Sequence, residues 1–143
     1  MPRGIITFRS EKVPNVFRDR MRTRKWLTAV ARDHGHTVDQ LCFVLLSDRD
    51  LLRYNQRYLH HDSYTDIITF DLQAGNGVAG DILISLDRVR ENAATFGVSV
   101  QYELRRVMVH GLLHLLGHTD KSPKGRAAMR AMEDRWLALL TRH

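Results

Sequence analysis

The stretch Thr37-Val-Asp-Gln-Leu-Cys-Phe-Val-Leu-Leu-Ser47 is the most hydrophobic strand-like segment of the chain. Its apolar residues run without interruption from Leu41 to Leu46. A continuous apolar run of this length is typical of a strand that is covered on both faces. We therefore predict that this strand lies at the centre of a sheet and that the other elements are arranged around it.

The segments on both sides of this strand supply further elements. A short strand, Ile5–Phe8, is followed by a helix that opens at Asn15 and ends at His34-Gly35. Serine residues then mark helix starts, because a serine hydroxyl can accept a hydrogen bond from a free backbone N–H of the first turn. Predicted helices begin in this way at Ser47, Ser85, Ser99 and Ser122-Pro123.

Two β segments between the second and third helices predict a hairpin. They are Tyr64–Leu72 and Val78–Ser85, separated by the turn-forming stretch Ala74-Gly-Asn-Gly77. The order is then β-α-β-α-β-β-α-α-α, which predicts an α/β (α+β) fold with one mixed sheet of about four strands and about five helices. No composition shift or repeat divides the chain, so we expect one domain over residues 1–143.

The composition is that of a basic protein with ordinary globular character. The formal net charge is +6, and all but four of the 22 basic residues are arginines. Guanidinium groups bind phosphate bidentately, so this charge favours a nucleic-acid partner, although many basic proteins bind none. The first residues lack the apolar core of a secretory signal, and no apolar run could span a bilayer. We therefore expect a cytoplasmic protein with no membrane partner.

Two histidines at helical spacing carry the chemistry. His110 and His114 are four residues apart in a predicted helix, so both imidazoles project from one face, one turn apart. Two ligands of a single zinc ion need this arrangement, with each bond about 2.0–2.1 Å long. Gly117 then lets the chain leave the helix and turn back. These residues predict a metal site.

Two later residues compete for the third ligand position. His118 follows the glycine directly, but the glycine should end the helix and direct this side chain away. Asp120 falls where the third ligand stands in the metal-binding pattern H-x-x-x-H-x-x-G-x-x-H, and a carboxylate is a sound zinc ligand. We predict Asp120 as the third ligand, with His118 as the alternative. Three protein ligands leave one position open, as in catalytic metal sites.

The residue after the first histidine separates this site from that of zinc peptidases. Those enzymes carry a glutamate there as general base, in the pattern H-E-x-x-H, whereas this chain has Gly111. A glycine cannot move a proton. A zinc peptidase or amidase is therefore kept as an alternative hypothesis, although the motif lacks the general base of those enzymes.

The motif His110-Gly-Leu-Leu-His-Leu-Leu-Gly117 resembles the signature H-G-x-L-H-L-x-G-Y-D-H of the YbeY family, bacterial metal-dependent endoribonucleases implicated in ribosomal RNA maturation. Two other stretches, residues 55–70 and Gly80-Asp-Ile-Leu-Ile-Ser85, resemble further motifs of the family in the same order. The chain departs from the family pattern at several positions, of which three bear on the site. A histidine is replaced by Asp120, an arginine by Leu59 and a proline by Tyr64.

The resemblance implies a function, a cofactor and partners. The function is that of a metal-dependent endoribonuclease that cuts single-stranded RNA in maturation of the 3′ end of small-subunit ribosomal RNA. The cofactor is one Zn²⁺, or another divalent ion, per chain. The partners are ribosomal RNA or the small ribosomal subunit, with a ribosomal protein or an assembly GTPase beside it. A non-catalytic assembly factor that binds ribosomal RNA or a ribosomal protein stays as a third hypothesis.

Other residues are candidates by type and position. Asp66 and Asp81 lie in strand-like blocks. They could orient a ligand histidine or accept a proton, or they could only form hydrogen bonds with backbone amides. Glu133 and Asp134 are predicted ion-pair partners of arginines rather than catalytic acids. The predicted RNA contacts are arginines of the first two helices, namely Arg20, Arg24, Arg53 and Arg57.

The departure at Leu59 removes a charge that the family pattern places there. Arg57, two residues earlier, or His60 and His61, next to it, could supply that charge instead. The role that the family's arginine would have is therefore left open between these three residues.

Overall fold

The computed structural model describes residues 4–60, 65–73 and 75–141. These residues form four strands and five helices in the predicted order. In chain order the elements are β1 (Ile5–Ser10), α1 (Arg20–Asp33), β2 (Val38–Leu46), α2 (Asp48–Leu59), β3 (Ile67–Asp71), β4 (Val78–Ser85), α3 (Leu86–Phe96), α4 (Val100–Leu115) and α5 (Pro123–Thr141).

The strands form one mixed sheet with the spatial order β1-β2-β4-β3. β1 and β4 pair with β2 in parallel, and β3 pairs with β4 in antiparallel orientation. The predicted central position of β2 is confirmed, and so are the hairpin, the mixed sheet and the single-domain α+β class. Ala74 of the predicted turn and Tyr64, the predicted start of β3, lie outside the described residues.

All four predicted serine caps are confirmed. The hydroxyl oxygens of Ser47, Ser85, Ser99 and Ser122 accept hydrogen bonds from backbone N–H groups three residues later, at 2.9–3.2 Å. Each cap satisfies a donor that the first helical turn leaves free. The starts of α2, α3, α4 and α5 are therefore fixed by local sequence.

The predicted start of the first helix at Asn15 is wrong. The Asn15 side chain instead accepts a hydrogen bond from the backbone N–H of Phe17 and donates one to the carbonyl of Phe8. Asp19 then has a positive φ of 49°, and the helix begins only at Arg20. The asparagine therefore ties an extended segment to β1.

Helices cover the two faces of the sheet unequally. On one face, α1, α4 and α5 build the larger apolar core, with α3 packed against α4. On the other face, α2 covers a smaller cluster around Leu51 and Leu83.

No helix among the described residues is both long and apolar enough to cross a membrane.

One glycine brings α4 close to the sheet. A Cβ atom at Gly111 would stand 2.8 Å from a side-chain carbon of Ile82 and 3.0 Å from one of Ile67. Real Cβ contacts are longer, so only glycine permits this approach without movement of the neighbours. The side of α4 that carries Gly111 is thus fixed on β3 and β4, which sets the orientation of the two histidines around it.

Candidate metal centre

The helix α4 presents its two histidines side by side, as their spacing predicts. The Nε2 atoms of His110 and His114 are 3.1 Å apart. Their side chains are 23% and 27% exposed, so both rings border solvent. Two imidazoles therefore converge at the C-terminal end of a helix whose other side is buried.

A reversal of the chain brings Asp120 to the same point. The helix ends at Leu115, and Gly117 adopts a φ of +102°, which an L side chain rarely adopts. One Asp120 carboxylate oxygen then lies 3.5 Å from His110 Nε2, and the other lies 3.5 Å from His114 Nε2. Within the described part of the chain, His110, His114 and Asp120 form a group of potential metal ligands. Their ligand atoms all lie within 4.8 Å of one another.

The distances between these atoms fit a tetrahedral ion. Ligands bonded at 2.0–2.1 Å with tetrahedral angles lie about 3.3–3.4 Å from one another. The distances of 3.1, 3.5 and 3.5 Å bracket that value. Two imidazoles and one carboxylate are also a donor set that zinc accepts. The three residues therefore fit one zinc ion with a fourth position left over.

The buried carboxylate of Glu133 holds the ring of His110 from behind. Its Oε2 lies 2.7 Å from His110 Nδ1, and Arg106 donates to its other oxygen at 3.0 Å and to Asp134 at 2.6 Å. The ion pairs predicted for Glu133 and Asp134 are thus confirmed. A neutral His110 that donates its Nδ1–H to Glu133 turns the lone pair of Nε2 toward Asp120 and His114.

The contact between Glu133 and His110 was not predicted, although the sequence contains a signal for it. Glu133 stands in line with Met129, Trp136 and Leu140 on the apolar side of α5, and it is only 4% exposed. A carboxylate on such a face needs a buried partner. The prediction named the arginines as that partner and left out the histidine.

The pKa of His110 shows the balance of forces on this ring. Burial lowers the pKa, but the hydrogen bond to Glu133 and the negative charges of Glu133, Asp120 and Asp66 outweigh burial and raise it above its ordinary value. The electrostatic potential around His110 is therefore negative, which favours the binding of a cation.

The alternative ligand, His118, lies in a different contact. Its Nε2 is 2.9 Å from Nε2 of His34, at the end of α1, and it is not part of the converging group. Burial, followed by the neighbouring His34 and His114, lowers the pKa of His118. The turn at Gly117 thus separates this side chain from the site in the predicted way.

The two candidate carboxylates fall on opposite sides of the sheet. Asp66 lines a cavity of about 270 Å³ together with His110 and Asp120; we call it the His110 cavity. Asp81 lines a different cavity with Cys42 and Tyr54, because side chains alternate along β4 and its neighbours Gly80 and Ile82 face α4. The structure does not bring Asp81 to the histidines.

The predicted RNA contacts on α2 do not border the His110 cavity. Arg53 and Arg57 line a separate cavity of about 250 Å³ with Glu11 and Tyr58, on the side of the sheet that α2 covers. Leu59 and His60, at the end of α2, are exposed, and His61 lies outside the described residues.

The predicted contacts on α1 also lie away from the histidines. Arg24 donates to the carbonyl of Ile6, and Arg20 borders a groove between α1 and the end of α5. The charge pattern therefore identified basic surfaces of the molecule rather than the basic wall of the His110 cavity. That wall carries Arg126 and Arg130 of α5, which were not among the predicted contacts.

Comparison with known proteins identifies the family. The sequence model of the family described as Endoribonuclease YbeY matches residues 6–141. The chain belongs to the YbeY family. Among curated YbeY relatives, an endoribonuclease YbeY of Bacteroides thetaiotaomicron is 40% identical over 94% of this chain and 98% of its own length. One from Cytophaga hutchinsonii is 43% identical over 97% of this chain and 98% of its own.

A solved structure supports the same fold for this YbeY chain. A solution structure of a protein from Thermotoga maritima superposes with a TM-score of 0.66 at 24% identity, and it covers 95% of this chain and 89% of that one. At this identity the likeness concerns the fold alone. The family membership, in contrast, rests on sequence along nearly the whole chain.

Proposed function

We propose that this chain is a metal-dependent endoribonuclease whose ion is held by His110, His114 and Asp120. The observation that carries the proposal is the spacing of their three donor atoms, which suits one tetrahedral ion. Two of these residues, His110 and Asp120, line a cavity that is also bordered by arginines. Its relatives of at least 40% identity are named endoribonucleases. All residues of the site belong to the one domain of residues 1–143.

The proposed cofactor is one zinc ion, or a similar divalent ion, per chain. When bound, such an ion supplies Lewis-acid activation of a phosphate oxygen or of a water molecule. Glu133 fixes the tautomer and the orientation of His110, and Arg106 in turn fixes Glu133. Asp66, in the same cavity, is the proposed proton acceptor.

The proposed substrate is single-stranded RNA, specifically ribosomal RNA during maturation of the 3′ end of the small subunit, in the cytoplasm. The positive formal charge of the chain supports a polyphosphate substrate. Arg20, Arg24, Arg53 and Arg57 would then contact only RNA that extends beyond the cavity. A ribosomal protein or an assembly GTPase is the proposed protein partner on the ribosome.

The surroundings of Gly111 argue against a peptidase or amidase. The position that carries the general base in zinc peptidases here faces Ile82 and Ile67 with no room for a side chain. A base at this position would be buried against the sheet rather than directed at a substrate.

The direct test compares wild type with His114→Ala on structured ribosomal RNA, with the metal content measured in the same preparations. We expect near-stoichiometric metal and cleavage for wild type, and loss of both for the variant. A protease screen of the metal-loaded chain should be negative. Metal-loaded wild type that cosediments with small ribosomal subunits but leaves the RNA intact would instead support the non-catalytic assembly factor.

A further inference from the structure

An exposed aromatic ring stands at the rim of the His110 cavity beside an arginine. Phe96, the last residue of α3, is 56% exposed, although phenylalanine is among the residue types most often buried. The guanidinium carbon of Arg130 lies 5.6 Å from the centre of its ring. Both residues line the cavity that contains His110 and Asp120.

Two carboxylates of this cavity are buried, and two of its arginines are exposed. Glu103 and Glu133 are buried, at 5% and 4% exposure, whereas Arg126 and Arg130 are exposed. The two arginines are four residues apart on α5, so both side chains project from one face of the helix. A negatively charged chain that approaches the cavity therefore meets exposed guanidinium groups, together with the half-buried carboxylates of Asp66 and Asp120.

Among the described residues, no carboxylate lies within ion-pair distance of these two arginines. Within residues 4–60, 65–73 and 75–141, neither Arg126 nor Arg130 forms an ion pair, in contrast to Arg105 and Arg106 of α4. An unpaired guanidinium is free to bind phosphate through two parallel N–H groups. The wall of the cavity therefore offers two phosphate-binding groups and one aromatic surface.

We propose that Phe96, Arg126 and Arg130 form a binding subsite for a nucleotide of single-stranded RNA next to the scissile bond. A base stacks on the open face of Phe96 or on the plane of Arg130, and the arginines hold the adjacent phosphates. The cavity volume of about 270 Å³ is close to that of the smallest ligand pockets, about 300 Å³, and suits one nucleotide. This inference rests on the proposed function, because it assigns a substrate contact to the same site.

The test measures the affinity of the full-length, zinc-loaded protein for a labelled single-stranded oligouridylate by fluorescence anisotropy, with the intactness of the RNA checked on a gel. Phe96→Ala should weaken binding by roughly 5- to 150-fold, the range observed when an aromatic stacking partner is removed. Phe96→Trp should restore binding, because it keeps an aromatic surface. Circular dichroism checks that each variant is folded.

The dependence on salt separates the roles of the two residues. Arg130→Ala should weaken binding and reduce the slope of log affinity against log salt concentration by about 0.7, the value for one phosphate contact on a single strand. Phe96→Ala should leave that slope unchanged, since a phenyl ring carries no charge. Arg135→Ala is the control for overall charge, because Arg135 lies on the same helix but outside the cavity, where it packs against Trp136 and pairs with Asp33.

Two results would overturn the subsite. One is wild-type affinity of both Phe96→Ala and Arg130→Ala; the other is an equal loss for Arg135→Ala, which would show that only overall charge matters. Cleavage by the zinc-loaded wild type is assayed separately. RNA that binds in the predicted way but is never cut would contradict the proposed function and leave the subsite standing.

Discussion

Two pairs of histidines in this molecule have almost the same spacing but different surroundings. The Nε2 atoms of His110 and His114 are 3.1 Å apart, and those of His34 and His118 are 2.9 Å apart. The first pair has Asp120 in front and Glu133 behind. In the second pair, the far nitrogen of His34 lies 2.8 Å from the backbone carbonyl oxygen of Val30.

The pKa values of one histidine of each pair, His110 and His118, are shifted in opposite directions. Carboxylates raise the pKa of His110 despite its burial, whereas burial and neighbouring histidines lower the pKa of His118. A cation is stabilised by the first environment and gains nothing from the second. Close imidazoles are therefore not sufficient for a metal site; a third donor and a supporting carboxylate distinguish the two pairs.

The largest expected difference is between one histidine of each pair. His114→Ala should weaken zinc binding by more than about 100-fold, beyond the loss that an outer partner causes. His34→Ala should leave zinc affinity within about twofold of wild type, because it lies outside the converging group. Zinc titration against a competing chelator measures both. Equal losses would erase the distinction between the pairs.

The next effect concerns the support behind His110. Glu133→Gln keeps the size of the side chain but removes its charge, so zinc affinity should fall by roughly 10- to 100-fold. Asp134→Asn is the matched control, because it faces the same Arg106 but does not contact the histidine. If the zinc affinity of the Glu133 variant were unchanged, Glu133 would serve only as an ion-pair partner of Arg106 and would not support the metal site.

A smaller effect is expected where α4 meets the sheet beneath the first pair. Gly111→Ala places a methyl group 2.8 Å from Ile82, and we expect a loss of about 1–3 kcal/mol in the free energy of unfolding. Gly75→Ala, in a position with open space around it, serves as the control and should be nearly neutral. Urea denaturation compares the two. A Gly111→Ala variant as stable as wild type would show that α4 can shift.

The smallest effect comes from the buried Glu103, which lines the His110 cavity. Burial raises its pKa above 4.5, so the folded state holds the proton more tightly than the unfolded chain. Stability from this group is present at low pH and is lost as the pH rises through the folded pKa. Glu103→Gln should therefore raise Tm at about pH 8, and the difference should shrink toward about pH 4. A gain that is the same at both pH values would contradict this origin.

The sequence predicted those parts that depend on local chemistry. Serine caps, the continuous apolar run of β2 and the i, i+4 spacing of His110 and His114 each act over a few residues, and each produced the expected structure. The predicted start of α1 at Asn15 was wrong. The Asn15 side chain forms a hydrogen bond with the carbonyl of Phe8 in β1, seven residues earlier, instead of capping a helix.

The parts that could not be predicted from the sequence depend on contacts between distant segments. Glu133 reaches His110 across 23 positions, and Arg130 of α5 contacts Phe96, the last residue of α3. Charge counts along α1 and α2 selected Arg20 and Arg57, since no local pattern shows which basic helix borders a cavity. Asp81 illustrates the same limit, because its face of β4 is decided by the packing of Gly80 and Ile82.

The most direct test of the metal centre measures bound zinc per chain, by elemental analysis, in Asp120→Ala and His118→Ala prepared in parallel. If the Asp120 carboxylate, which the turn at Gly117 brings to the two imidazoles, is the third ligand of the ion, Asp120→Ala should lose most of its zinc. His118→Ala should then keep close to one equivalent. Full zinc in the Asp120 variant, with loss in the His118 variant, would contradict this assignment.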